Sequence, residues 1–214
     1  MKSILKFIRM DWMNYKPKVK VFPFYILFAV LITTEYHSII PSIIMLGVFI
    51  YTLLNFLFAG EEKNDMFRLY SILPTNKQEI VIGRYLLAIL LSLLILIFSV
   101  FILFLEASIL SIPIPYGMTI NITLLAAAFT FFSIAVIFPI NYKLGFIKSQ
   151  SFAALPIILF IVIATLVPRI LKINFFENPE TIFNNLIGVP LFIIGIFLVI
   201  ISSKASIKIM EQKE

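Results

Sequence analysis

The chain has 214 residues and no cysteine, and 61% of it is hydrophobic against 13% charged, with a mean hydropathy of +1.08. Soluble domains carry about 25% charged residues, and a chain of this size has too little interior to hide so much apolar side chain from water. The composition excludes disulfide, thiol and iron-sulfur chemistry, and one histidine, His37, is too few for most histidine-built metal sites; the formal charge of +6, with no basic fold motif, suits membrane-facing loops better than nucleic acid.

Wound as a helix, residues 4 to 15 gather Ile4, Leu5, Ile8, Trp12 and Tyr15 within an arc of about 100°, with Lys2, Lys6 and Arg9 opposite. This pattern predicts an amphipathic helix within residues 1–17, lying along the inner membrane surface with Trp12 and Tyr15 at headgroup depth; a helix docked on other protein has the same pattern. The segment is expected to be retained. Its basic region is long, and Leu31, Ile32, Thr33, Thr34 and Glu35 do not form a small-residue cleavage site.

A lipid-spanning helix needs about 20 mainly apolar residues. Six such runs follow: Val19 to Tyr36, Ile39 to Gly60, Tyr85 to Leu105, Met118 to Pro139, Phe152 to Pro168 and Ile182 to Ser203. The fold class expected is all-α, a polytopic membrane protein with six transmembrane helices in a single transmembrane domain over 1–214. A polar break at Glu35, Tyr36, His37 and Ser38 suits a tight hairpin between the first two runs. Pro23, Pro156 and Pro190 are read as bends that shape packing, and Asn55 as an amide seeking an interhelical hydrogen bond.

Of the 17 cations, fifteen fall before or at the very start of the first run, between the second and third, between the fourth and fifth, or after the sixth; only Arg169 and Lys172 occupy the alternate connections. That asymmetry places both termini in the cytoplasm. The runs are almost free of charge, and Glu35 and Glu106 sit near the outer edge as solvated interfacial groups, which argues against a gradient-driven carrier with mid-membrane carboxylates. No G-x-x-x-x-G-K-[ST] loop is present, so the chain offers no nucleotide cradle of its own. Glu61 and Glu62 lack the arginine spacing and the histidines of an intramembrane protease.

The cytoplasmic stretch from Glu61 to Tyr85, EEKNDMFRLYSILPTNKQEIVIGRY, mixes charges with Met66, Phe67, Leu69, Tyr70, Ile72 and Leu73. It is neither a span nor a simple solvated loop. Pro74 disfavours helix at Leu73, so a short helix over 65–72 stops there, and Thr75 with Gln78 fits a capping box that starts the third span.

This loop resembles that of type-2 permeases of ATP-binding-cassette (ABC) transporters. The matching residues are Glu61, Glu62, Lys63, Leu69, Leu73, Pro74, Thr75, Lys77, Glu79, Gly83, Arg84 and Tyr85, while Asn64 and Asp65 stand where the family often has glycine and a small hydroxyl residue. The resemblance implies that 61–84 is a cytoplasmic coupling loop whose short helix sits in a cleft of an ATPase, with Asp65, Met66, Phe67, Arg68, Leu69, Tyr70, Leu73 and Pro74 as docking candidates. It further implies a second permease chain, identical or homologous, no catalytic residue or cofactor in this chain, and ATP with magnesium in a cytoplasmic partner ATPase. Packing of the loop on the chain's own surface helix is the alternative.

The segment from Arg169 to Thr181 carries Phe175 and Phe176, which could form an outer gate or simply be interfacial aromatics. The expectation is a subunit of an exporter in a bacterial cytoplasmic membrane, moving amphipathic or hydrophobic cargo, with peptides as the first choice. A non-transporting scaffold, immunity or sensor subunit is the rival reading.

Overall fold

In the computed structural model, the described residues are 8–13, 20, 23–24, 27–28, 30–31, 35, 49, 51–52, 54–55, 58–59, 76–110, 116–152, 154–159, 162, 166 and 188–212. Among them no strand occurs, and the ordered elements are helices: α1 (Lys77–Leu110), α2 (Tyr116–Leu144), a four-residue α3 (Phe146–Ser149) with a 3-10 turn (Gln150–Phe152), and α4 (Gly188–Glu211). Residues 8–13 are also helical.

The distribution of side chains is inverted relative to a protein folded in water. Arg84, Ser92, Asn121, Thr130, Ser133, Asn141, Ser202 and Ser206 are buried, whereas Leu94, Ile97, Phe101, Ile193, Phe197 and Ile201 are exposed. On α1 the exposed positions Ile82, Leu86, Leu90, Leu93, Ile97, Phe101 and Phe104 recur at steps of three and four, so they form one continuous apolar stripe. A stripe of that kind suits hydrocarbon rather than water. Thr119–Leu144 and Gly188–Glu211 are long and apolar enough to cross a bilayer, at 26 and 24 residues.

Helix α2 is the centre of the described structure. Residues on all its sides, among them Phe131, Phe132, Ser133, Ile137 and Phe138, are buried. Helix α4 packs along it through Gly188, Leu191, Gly195, Val199, Ser202, Ser206 and Met210, a stripe at helical spacing that is rich in small residues. Small residues let two backbones approach closely, which is where helices in lipid gain their packing energy. A Cβ on Gly188 would lie 2.7 Å from the Asn121 carbonyl oxygen, and the Gly188 N–H donates to Asn121 Oδ1 at 2.6 Å.

Hydroxyls within the helices largely satisfy themselves. Ser92 donates to the Ala88 carbonyl, Thr123 to Thr119 and Ser133 to Phe129, each four residues back. Asn55 does the same toward the Tyr51 carbonyl at 3.3 Å, so this bond runs within its own segment and not between helices as the sequence suggested.

Two prolines behave differently from expectation. Pro190 falls in the first turn of α4, where no intrahelical donor is needed, so it starts the helix instead of bending it. Pro139, taken as the end of the fourth run, lies inside α2, which continues to Leu144. Having no N–H, it leaves the carbonyl of Ala135 without its helical donor, and Ser202 Oγ of α4 donates to that oxygen at 2.7 Å.

Helix α1 begins one residue later than the capping-box reading implies. Asn76 is the cap: its Oδ1 accepts from the Gln78 N–H at 3.1 Å and its carbonyl from the Glu79 N–H at 2.9 Å. The Gln78 side chain is engaged elsewhere, donating to Glu211 Oε1 at 3.0 Å. Gly145 joins α2 to α3 with φ of 81°, a backbone region that glycine enters without penalty.

Candidate functional site

The start of α1, the end of α2 and the end of α4 meet at one end of the bundle. Gln78 reaches Glu211, Tyr85 reaches Ser206, and Arg84 reaches Tyr142. Lys77, Arg84, Lys143, Lys204 and Lys208 therefore all lie toward this end, with Lys148 just beyond it on α3, whereas the opposite ends, at Leu110, Tyr116 and Gly188, carry no cation among the described residues. The cations of the described bundle are thus gathered at one of its two ends.

Within this end the dominant group is Arg84, whose side chain is 1% exposed. Its Nε donates to Asp11 Oδ2 at 3.4 Å, and Asp11 is itself 8% exposed at the side chain. The guanidinium carbon lies 5.0 Å from the ring centroid of Phe58 and 5.6 Å from that of Tyr142. A buried charge is costly unless it is paired, and here one carboxylate and two π faces share that role. The rings are locked in turn: Phe58 sits edge-on to Phe138 at 4.9 Å and to Tyr142 at 5.3 Å, and Tyr85 sits edge-on to Phe138 at 4.9 Å.

Beside this cluster runs a chain of hydroxyls whose direction follows from counting protons. Ser202 gives its single proton to the Ala135 carbonyl, so it must accept from the Tyr85 hydroxyl at 2.7 Å, and Tyr85 must then accept from Ser206 at 2.8 Å. Three helices are joined in one polarised sequence, Ser206 to Tyr85 to Ser202 to Ala135. At the α2–α3 corner, Ser149 Oγ hydrogen-bonds Asn141 Oδ1 and the Phe146 carbonyl, while the Asn141 amide nitrogen is buried without a hydrogen-bond partner among the described residues.

These contacts engage the described residues on either side of 60–75. Phe58, before it, stacks on Arg84, and Asn76, after it, caps the helix that carries Arg84. Asp65, Met66, Phe67, Arg68, Leu69, Tyr70, Leu73 and Pro74 lie outside the described residues, as do Phe175 and Phe176. Of the N-terminal amphipathic set, Ile4, Leu5 and Tyr15 lie outside as well; Ile8 packs half-buried against the core and Trp12 is 41% exposed.

A family profile described as ABC-2 family transporter protein matches residues 6–211. The chain belongs to the ABC-2 transporter family. No curated protein and no solved structure matches the chain. As an ABC-2 permease it is embedded in the membrane and forms the transport subunit of an ABC transporter, and membership implies an ABC ATPase as partner. Within this permease, Gly83, Arg84 and Tyr85, identified by resemblance alone, form the buried joint of the bundle. Asp11, Phe58, Tyr142, Ser202 and Ser206 escaped the sequence reading. The available signal was an arginine eight residues into a helix whose next residues are almost wholly apolar, a charge that requires an acid from elsewhere in the chain.

Proposed function

We propose that the chain is the membrane-spanning half of an ATP-driven exporter in a bacterial cytoplasmic membrane, working as a dimer with an identical or homologous permease. ATP binding draws two partner ATPases together, residues 65–74 carry that motion, and the bundle opens a path outward for amphipathic or hydrophobic cargo, with peptides as the first class to test. Both termini face the cytoplasm, and residues 1–17 lie at the inner surface.

The observation that carries this reading is the joint at Arg84. Phe58 before the segment packs on the buried Arg84 guanidinium, Asn76 after it caps the helix that carries Arg84, and the same guanidinium is held by the N-terminal helix through Asp11. A push on the segment therefore acts on several helices together. An apolar bundle without mid-membrane charge also suits apolar cargo better than ions.

The test uses the permease co-expressed with its ATPase and reconstituted in liposomes. Phe67→Asp with Tyr70→Asp is expected to abolish co-purification of the ATPase and to remove the permease dependence of its hydrolysis rate. ATPase binding unchanged by both substitutions defeats the docking assignment. Binding retained with no ATP-dependent cargo movement, across peptide, drug-like and lipid-like probes, favours the scaffold or sensor reading instead.

A further inference from the structure

A cavity of about 360 Å³ opens at the cation-rich end, between the second predicted span and the corner formed by α2 and α3. Its walls are Ile137, Ile140, Phe146 and Phe152, with Asn55, Ser149 and Gln150 as neutral hydrogen-bonding groups. That volume is at the lower end of the range for small-molecule sites. The lining is apolar with a few neutral polar groups, which fits an acyl chain and its ester linkage and offers nothing to a buried ionic headgroup.

Charge stands beside the cavity instead. Lys143 follows Ile140 by three residues on α2, and Lys148 adjoins Ser149 on α3; both are exposed. The sequence contains no acidic residue from Ala107 to Phe176, and among the described residues neither lysine forms an ion pair. The same corner presents Ile147, 67% exposed, and Phe152, 43% exposed, beside those cations. Apolar side chains, neutral hydrogen-bonding groups and two lysines are thus placed together at the end that faces the anionic leaflet.

From this arrangement we propose that the cavity binds one anionic phospholipid of the inner leaflet, its acyl chain between α2 and Phe152, its ester oxygens facing the amide groups of Asn55 and Gln150, and its phosphate drawn to Lys143 and Lys148. The proposal requires only that the chain is membrane-embedded, and holds whatever the cargo or the direction of transport. Because the cavity is bounded by α2 and by the segment carrying Asn55, a bound lipid wedges the second predicted span against the central helix.

The chain has one tryptophan, Trp12, so a Trp12→Phe background with Phe152→Trp places a single reporter in the cavity wall. In nanodiscs, quenching is measured against rising mole fractions of acyl-brominated phosphatidylglycerol or, separately, acyl-brominated phosphatidylcholine. Half-quenching by the anionic lipid is expected at a lower mole fraction, by about fivefold for one effective lysine and up to about thirtyfold for both. Lys143→Gln with Lys148→Gln should bring the two lipids to parity while quenching itself persists, which shows the variant still embedded. A lipid-facing reporter at the same end, Leu86→Trp, should show no preference between the lipids. Parity in the parent reporter overturns the proposal, as does a preference that survives loss of both lysines or appears equally at residue 86.

Discussion

Ser202 repairs the defect that Pro139 makes. The proline removes the donor that would reach the Ala135 carbonyl, and the serine of a different helix supplies one at 2.7 Å. A gap in one helix thereby becomes a bond between two, and it fixes α4 against α2 at a single height. The same serine accepts from Tyr85, so the repair also fastens α1.

Ser202→Ala should therefore cost about 1–3 kcal/mol, the range for leaving a buried polar group without its partner. Replacing Pro139 by alanine restores an N–H to the Ala135 carbonyl. In that background Ser202→Ala should cost less than half as much. Thermal unfolding of the four detergent-solubilised variants gives the coupling; equal costs in both backgrounds would separate the serine from the proline.

Arg84→Ala leaves the buried Asp11 carboxylate without its cation, and Asp11→Ala takes the carboxylate from the buried guanidinium. Breaking a buried pair from one side costs about 3–5 kcal/mol, so both should lower the unfolding temperature strongly. Arg84→Lys keeps the charge and loses the planar group that faces Phe58 and Tyr142, and it is expected to fall between wild type and Arg84→Ala. A fully stable Arg84→Lys would show that the rings contribute nothing.

Gly188 and Gly195 both face α2, but not equally closely. A methyl group at 188 would meet Asn121 Oδ1 at 2.8 Å and Leu124 Cβ at 2.8 Å in addition to the backbone oxygen, whereas at 195 the nearest atom is Phe131 Cβ at 3.2 Å. Gly188→Ala should destabilise by about 1–3 kcal/mol, as overpacking does, and Gly195→Ala by less. The order of the two unfolding temperatures is the check.

Asn76→Ala removes the cap of α1 and should cost about 1 kcal/mol, while Asn76→Asp or Asn76→Ser should retain most of the stability. Thr75→Ala should change little, because the cap is at residue 76. A larger loss at 75 than at 76 would restore the capping-box reading.

Hydropathy located the apolar middles of α1, α2 and α4, since lipid exposure is written in every residue that faces it. It underestimated the helix end where polar residues continue the helix outside the apolar run, as from Lys204 to Glu211, whereas the capping-box reading had already carried the third run back to within one residue of its start at Lys77. The end assigned at Pro139 failed for a tertiary reason: the missing hydrogen bond is replaced by Ser202, 63 positions further along the chain. Arg84 was visible through its motif. Asp11 was not, because a partner 73 residues away leaves no trace in local spacing. The N-terminal pattern drew attention to Trp12 and Ile8, whereas the side chain that ties that helix to Arg84 is the carboxylate between them.

Helix α1 has 34 residues, about 51 Å at 1.5 Å per residue, against about 30 Å of hydrocarbon. Absorbing the excess by inclination alone would need about 54°, beyond the 0–40° over which spanning helices lean. Its charged residues Arg84 and Glu106 stand 22 residues apart, about 33 Å, close to the slab thickness. The two turns from Lys77 to Arg84, about 10 Å, are thus the part of the helix that exceeds this distance at the cation-rich end. That end is tied to Asp11, Ser202 and Ser206, whereas Ile97, Phe101 and Phe104 further along are exposed, so the first fixed points that a load on Lys77 would meet are the side chains at 84 and 85.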